Sequence, residues 1–153
     1  MGRNEQVIRI AVIGAGPRAL GALEALAVRL GADSPQVHVD LFDIGSEPGA
    51  GPNFPPDDSP LMLLNLPLRN IDLGHAPALP AFADWLPREQ ALPDRYPPRA
   101  QIGAYLADRF RALSQTPLQT RVIRQQAKAL HRQGDHWQVS AGITHGPYDQ
   151  VLL

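Results

Sequence analysis

The sequence of 153 residues contains no cysteine, which excludes disulfide bonds, thiol catalysis and cysteine-ligated metals. It also lacks an excess of charge of either sign. Its 14 Lys and Arg residues balance 15 Asp and Glu residues without a basic run, so a nucleic-acid ligand is disfavoured. No apolar stretch approaches the roughly 18 residues of a membrane span, and residues 1–6 lack the apolar core of a signal peptide. These absences fit a protein that is cytoplasmic and not bound to a membrane.

Familiar catalytic and metal-binding motifs are missing as well. The histidines have no His-Glu-x-x-His or other paired-ligand spacing, so we expect them at surface or strand positions and predict no metal site. There is no Gly-x-Ser-x-Gly elbow, and no catalytic acid or base can be named. The five histidines are His38, His75, His131, His136 and His145.

A predicted strand, a glycine-rich turn and a predicted helix open the chain. Residues 7–13 are almost continuously apolar and β-branched, which is typical of a strand buried on both faces of a parallel sheet. Residues 17–30 carry apolar side chains at helical spacing, with Pro17 suited to the first turn and Gly31 to the end. Residues 37–42 predict a second strand. This order is the context in which a dinucleotide-binding fingerprint has meaning.

The residues of the turn have distinct geometric roles in such a site. Gly14 allows a tight turn out of the strand, and Gly16 lets the backbone approach a pyrophosphate without an intervening Cβ. Ala19 stands where a third glycine often sits, because that position needs only a small residue. Amides at the helix start and the helix dipole would hold the phosphates, with Arg18 adding charge nearby. The predicted cofactor contacts in this turn are Gly14, Ala15, Gly16, Pro17, Arg18 and Ala19.

Asp43 follows the second predicted strand and is expected to face the adenosine ribose. A carboxylate there accepts hydrogen bonds from the 2′- and 3′-hydroxyls and repels a 2′-phosphate, which argues against NADP at this site. The alternative is a Rossmann-like domain whose turn binds no nucleotide, because a motif match is only a hypothesis.

Most of the 16 prolines fall within residues 44–98. A disordered linker is one interpretation, but the leucine-rich and aromatic residues of this stretch favour an ordered excursion from the carboxyl edge of the sheet. A short helix is predicted at about residues 80–86 and a longer one at 99–113. The apolar stripe of the longer helix places Tyr105 in the core rather than in catalysis.

The last forty residues predict β-structure. Residues 118–123, 127–132 and 137–141 are strand candidates, and Gly134 and Asp135 form a two-residue hairpin turn. That turn sets a register that the structure can test. It pairs Arg132 with Trp137, Leu130 with Val139 and His131 with Gln138, and residues 148–153 then predict one final core strand.

Several segments together resemble the bacterial FAD-NAD(P)-binding proteins, which are akin to flavin-dependent N-hydroxylating monooxygenases. The first of these runs Ile-Gly-Ala-Gly-Pro-Arg-Ala-Leu through the predicted turn. Others are Leu-Phe-Asp at the second strand and Phe-Ala-Asp-Trp-Leu in the excursion. The matching segments are residues 13–20, 41–43, 47–51, 63–65, 82–86, 96–100, 103–106 and 149–153.

The resemblance implies a flavoprotein with two dinucleotide-binding domains, the first of which holds the ADP half of FAD. It assigns Gly14, Gly16, Pro17, Arg18 and Asp43 to this role, and it places Gly49, Gly51 and Asn65 near the flavin. Read from the residues alone, the glycine pair fits an ordinary turn equally well. The amide of Asn65 fits a ligand contact or a backbone cap, and Arg99 fits a phosphate contact or a role in chain geometry.

The chain stops at Leu153, before the small-Thr-Gly turn that follows the last strand in this family. The second nucleotide-binding unit and the substrate region also have no counterpart. We therefore expect residues 1–153 to form a single FAD/NAD(P)-binding domain from a longer flavoprotein. An uncovered last strand would favour self-association of this fragment.

The predicted fold is a Rossmann-like, three-layer α/β domain with a parallel core sheet and a β-meander near its C-terminus. The predicted function is FAD binding in a flavin-dependent oxidoreductase, with NAD(P)H as electron donor and an unidentified small molecule as substrate. Two alternatives are an NAD-dependent dehydrogenase domain and a non-catalytic nucleotide-binding or sensing module. The proline-rich excursion disfavours the first of these, because a minimal NAD-binding unit does not need it.

Overall fold

Strands at both ends of the chain enclose a long, largely irregular middle segment in the computed structural model, which describes residues 7–74 and 76–153. Single-turn 3-10 helices lie at Leu68–Asn70 and Leu113–Gln115. The other elements, in chain order, are β1 (Val7–Ile13), α1 (Pro17–Arg29), β2 (Gln36–Phe42), α2 (Phe82–Trp85), α3 (Arg99–Ala112), β3 (Leu118–Ile123), β4 (Ala129–Gln133), β5 (His136–Ala141), β6 (Ile143–Tyr148) and β7 (Gln150–Leu152).

Two sheets organise these strands. The first has the order β3-β2-β1-β7 and all its neighbours run parallel. The second is an antiparallel meander in the order β4-β5-β6. The predicted α/β class, with a parallel core sheet and a C-terminal meander, is confirmed. The starts and ends predicted for β1, α1, β2, α3 and β3 agree with the structure to within one residue.

The parallel sheet is covered on both faces, which explains why β1 is apolar along nearly its whole length. Successive side chains of a strand point to opposite faces. Val12 therefore packs in the core beneath α1 and α3, whereas Ala11 packs beneath the meander with Phe42 and Tyr148. Ala11 and Val12 are 0% and 1% exposed, so neither face of the central strand reaches solvent here.

A buried ion pair joins the two long helices on the first face. The Nε of Arg109 in α3 donates to Oε1 of Glu24 in α1 at 2.8 Å, and its Nη2 donates to the other carboxylate oxygen. Its Nη1 donates to the carbonyl oxygen of Leu73 at 2.7 Å. Burial on its own lowers the pKa of Arg109, but the hydrogen bond and charge of Glu24 outweigh it and raise that pKa. The guanidinium of Arg109 therefore stays charged inside the core.

The segment between β2 and α3 packs onto these helices through polar as well as apolar contacts. The hydroxyl of Tyr105 donates to the carbonyl oxygen of Pro80 at 2.7 Å, and Nε1 of Trp85 donates to Oδ2 of Asp108 at 3.1 Å. Tyr105 is fully buried against the rings of Phe82 and Trp85. The prediction that Tyr105 belongs to the core is confirmed, and a short helix lies where one was predicted.

The meander confirms the predicted hairpin register. Arg132 pairs with Trp137, Leu130 with Val139, and His131 with Gln138, around a turn that contains Gly134. The first strand of this hairpin begins at Ala129, two residues later than predicted.

A final strand of the parallel sheet is confirmed at β7, but its predicted start at residue 148 is wrong. Tyr148 ends β6 and pairs with Trp137 in the meander, whereas β7 pairs with β1 in the parallel sheet. Asp149 marks the change of sheet, because its N–H donates to the carbonyl oxygen of Arg9 at 2.8 Å and its Oδ2 accepts the N–H of Arg9 at 2.8 Å. A local pattern cannot show that two adjacent apolar stretches serve different sheets.

Residues 1–6 and His75 lie outside the described residues, so the expectations made for them stay predictions. The other four histidines lie on strands β2, β4, β5 and β6. Between Val7 and Leu153, with His75 set aside, no group of three or more His, Asp or Glu side chains is arranged to hold a metal ion. The helices of the same part of the chain include none that is long and apolar enough to cross a bilayer.

Removal of one partner of the buried pair should destabilise the protein strongly. Arg109→Met leaves the carboxylate of Glu24 buried without its counter-charge, which should lower the free energy of unfolding by about 3–5 kcal/mol. Urea denaturation followed by circular dichroism measures this loss. The double variant Glu24→Leu with Arg109→Met should recover most of it, and Arg88→Met at an exposed position should change stability by less than about 0.5 kcal/mol. A loss below about 1 kcal/mol in the single variant would contradict the stabilising role of the pair.

Candidate functional site

The turn between β1 and α1 forms the centre of the candidate site. Gly14 has a φ of +92°, a left-handed conformation that favours glycine, and its N–H donates to the carbonyl oxygen of Phe42 at 2.8 Å. A Cβ added at Gly14 would meet nothing within 4 Å. Glycine is therefore needed there for its backbone conformation rather than for space. Gly16, with φ of −85°, is the N-cap residue of α1, and Pro17 is its first helical residue.

The first turn of α1 leaves hydrogen-bond donors available. The amides at a helix start have no intrahelical partner, and no side chain caps this one. The N–H of Leu20 is the first to bond within the helix, to the carbonyl oxygen of Gly16 at 3.0 Å. The turn contains no acidic side chain, and the side chain of Arg18 is exposed beside it. Free amides, the helix dipole and a guanidinium thus meet at one place.

An open cleft of about 570 Å³ lies at this turn, at the carboxyl end of β1. Five of the six residues predicted for the turn line it, and Ala15 does not. Ala15 is 1% exposed, and its carbonyl oxygen accepts the N–H of Gly49 at 2.6 Å, so it holds the neighbouring loop. The predicted residues in the lining are Gly14, Gly16, Pro17, Arg18 and Ala19.

Asp43 lies beside this turn but does not line the cleft. Ile13 and Phe42 are register partners in the parallel pair, so Gly14 and Asp43 directly follow two paired residues. The N–H of Asp43 donates to the carbonyl oxygen of Ile123 at 3.1 Å. Its carboxylate is half-buried and, within the described ranges, accepts no hydrogen bond and joins no ion pair.

The glycine pair after β2 packs against the turn. Gly49 and Gly51 have φ of +95° and +67°. A Cβ at Gly49 would overlap the carbonyl oxygen of Leu106 in α3, and one at Gly51 would lie 3.0 Å from Cδ of Pro17. Both glycines therefore have a packing role, and neither lines the cleft.

Asn65 and Arg99 lie away from the cleft lining. Asn65 is exposed, and its amide has no hydrogen-bond partner among residues 7–74 and 76–153. Arg99 holds a loop, because its Nε and Nη2 donate to the carbonyl oxygen of Asn53 at 3.2 and 2.7 Å and its guanidinium lies 5.5 Å from the ring centre of Phe54. These contacts give Arg99 a role in chain geometry, and its contact with a phosphate stays a prediction.

Asn53 also lines the cleft, and it is not among the residues predicted from the sequence. Its position depends on contacts that are distant in sequence. Arg99 binds its carbonyl oxygen, and Gly103 lets the loop approach α3, because a Cβ there would overlap the carbonyl oxygen of Phe54. Locally, the sequence indicates only a turn at residues 51–53, whose composition is typical of turns.

In this parallel sheet, β1 leads through a glycine turn into a helix, and a carboxylate follows the adjacent strand. These features together are typical of a dinucleotide-binding α/β domain. The chain belongs to the FAD-NAD(P)-binding family, whose model matches residues 11–153. The resemblance found in the sequence is therefore confirmed at the level of this family.

Two solved structures share low similarity with the chain. One is a pyridine nucleotide-disulfide family oxidoreductase from Enterococcus faecalis V583, with 11% identity, a TM-score of 0.44, and coverage of 97% of this chain and 22% of the other. The second is AlpK, with 19% identity, a TM-score of 0.46, and coverage of 90% of this chain and 28% of the other. The chain thus spans about a quarter of the length of these proteins. No curated relative matches the sequence.

Alanine substitutions should separate the two reasons for glycine near the site. Gly14→Ala should lower the free energy of unfolding by about 1–2 kcal/mol through backbone strain alone. Gly49→Ala should lower it further, because the added Cβ also overlaps the backbone of Leu106. Gly21→Ala, in an open position within α1, should raise stability by about 0.5–1 kcal/mol. Thermal or urea denaturation gives all three values, and equal losses at Gly14 and Gly49 would contradict the packing role of Gly49.

Proposed function

We propose that this chain binds the ADP half of FAD at the turn between β1 and α1, as one domain of a flavin-dependent oxidoreductase. The observation that carries the proposal is the coincidence of this turn with an open cleft in a chain of the FAD-NAD(P)-binding family. The volume of about 570 Å³ lies within the range of roughly 300–1,000 Å³ that small-molecule sites occupy.

The pyrophosphate would lie against the first turn of α1. The amides of Arg18 and Ala19 are donors without an intrahelical partner, and the positive end of the helix dipole adds to their attraction for an anion. The guanidinium of Arg18 supplies a full positive charge at the same end. Because the first turn has no carboxylate, nothing within it opposes the phosphate charge.

Gly16 supports this placement because the protein itself does not require glycine there. Its φ of −85° suits any residue, and among the described residues an added Cβ would meet just one atom within 4 Å, the Cα of Gly51 at 3.8 Å. The close approach of a phosphate group to the backbone would explain the glycine at this position, whereas protein packing does not. The residues present therefore fit the cofactor.

Asp43 would hold the adenosine ribose. Its carboxylate stands beside Gly14 without a hydrogen-bond donor from the described residues, so it has acceptor capacity for two vicinal hydroxyls. A 2′-phosphate would meet the same negative charge. The site should therefore prefer FAD, ADP or NAD over NADP.

The flavin ring supplies the redox chemistry when bound, and the protein supplies orientation and polarity. Asn53 is the residue of the excursion that lines the cleft, and Arg99 positions it from α3. We further propose NAD(P)H as the electron donor of the whole protein and roles for Gly49, Gly51 and Asn65 on the flavin side. A catalytic acid or base and the substrate site would lie in other parts of that protein.

Binding of nucleotides to the purified chain tests the proposal. Calorimetric titration with FAD, ADP, NAD and NADP gives affinities, and absorbance near 450 nm after removal of free ligand shows whether flavin is retained. Gly16→Val should weaken FAD binding at least about tenfold, equivalent to about 1.4 kcal/mol, because its side chain enters the space a phosphate needs. Asp43→Asn should weaken the binding of FAD and reduce the preference of the site for NAD over NADP.

Gly31→Val is the matched control, since Gly31 is exposed, open and outside the cleft. Unchanged FAD affinity in Gly16→Val, or tighter binding of NADP than of FAD, would contradict the proposal. Binding of NAD without FAD would favour a dehydrogenase domain, and binding of ADP alone would favour a nucleotide-sensing module.

A further inference from the structure

A second cavity lies on the meander side of the parallel sheet, towards the opposite end of its strands from the nucleotide cleft. Its volume is about 290 Å³. Arg9 pairs with His38 across β1 and β2, and His38 pairs with Gln119 across β2 and β3, in the first half of each strand. Ile13 lies four residues after Arg9, a distance of about 13 Å along an extended strand. The two cavities are therefore distinct.

One carboxylate in this cavity is fully engaged. Oδ1 of Asp40 accepts a hydrogen bond from Nε of Arg121 at 2.8 Å, and its Oδ2 accepts from Nη2 of Arg121 and from the hydroxyl of Tyr148, both at 2.7 Å. Burial on its own raises the pKa of Asp40, but these hydrogen bonds outweigh it and hold that pKa below its usual value. Asp40 is therefore ionised at neutral pH, and Arg121 is already neutralised by it.

Arg9 has no such partner. Its guanidinium lies 5.5 Å from the ring centre of Tyr148, while its backbone N–H, not its side chain, binds Asp149. No carboxylate of residues 7–74 and 76–153 forms an ion pair with it. With two guanidiniums and one carboxylate, the lining carries an excess of one positive charge.

His38 adds an unsatisfied polar atom to the same lining. Its Nε2 is buried and has no hydrogen-bond partner among the described residues. Leaving a buried donor or acceptor unpaired is unfavourable, so native proteins rarely do so without a ligand, water or ion at the position. An imidazole nitrogen that carries its proton can donate to an anionic oxygen.

We propose that this cavity binds a small oxyanion, a carboxylate or a phosphate, at the guanidinium of Arg9 and beside the imidazole of His38. The planar guanidinium suits either anion, because its parallel N–H groups match the spacing of two oxygens. Asp40, Arg121 and Tyr148 line the cavity as well, and the ring of Tyr148 lies against the guanidinium of Arg9. The inference does not depend on the proposed nucleotide site.

Titration of the 153-residue chain with inorganic phosphate, and separately with acetate, tests this site. The signal of the His38 ring in a long-range ¹H–¹⁵N spectrum is assigned by its loss in His38→Gln. At constant ionic strength, at least one anion should shift this signal with saturation near or below a Kd of about 1 mM. The other histidine signals should show no saturable shift. A shift that saturates with phosphate indicates a phosphate ligand, and one that saturates with acetate indicates a carboxylate ligand.

Variants of Arg9 decide whether the charge on the wall matters. Arg9→Gln should weaken binding at least about tenfold. Arg9→Lys should bind with intermediate affinity, because it keeps the charge but loses the paired N–H groups. Arg18→Gln in the nucleotide cleft should leave the anion-dependent shift of the His38 signal unchanged. Circular dichroism checks that each variant is folded, and if Arg9→Gln is not, the wild type and Arg9→Lys still decide. A shift that rises linearly with both anions, as for a water-filled cavity, would overturn the proposal.

Discussion

The double burial of β1 is the constraint on which the rest of the structure depends. Helices cover one face of this strand and the meander covers the other, so its side chains at Ala11 and Val12 are buried in both directions. After the carboxyl end of this strand the chain turns through Gly14, which has a positive φ. That exit places the start of α1 at the edge of the sheet. A cleft with free amides, beside the carboxylate after β2, is the consequence.

The long segment between β2 and α3 is held close to this edge by a few buried polar contacts. Arg109 joins α3 to α1 and to the backbone of Leu73, and Tyr105 binds the backbone of Pro80. Arg99 and Gly103 bring residues 53–54 onto α3, which leaves Asn53 in the cleft lining. The same helix thus supports both the core and one wall of the proposed cofactor site.

Local patterns were sufficient for much of the fold and for the core of the candidate site. Short stretches of sequence contain the spacing of apolar residues and the turn residues that predict the strand, turn and helix of residues 7–30. The same is true of the hairpin around Gly134. The change of sheet at Asp149 cannot be predicted in this way, because it depends on pairing with Arg9, which is 140 residues away. The same holds for the contact of Arg99 with Asn53 and for the network around Asp40, whose partners are 81 and 108 residues distant.

The most direct test of the central claim is a map of backbone amide shifts in the ¹⁵N-labelled chain upon addition of FAD. If the ADP half binds at the exit of β1, the largest perturbations should fall on residues 14–19 and Asp43, and ADP alone should reproduce them. Asn53 should respond with them, because it lines the same cleft. Perturbations confined to other surfaces, with residues 14–19 unchanged, would contradict this account.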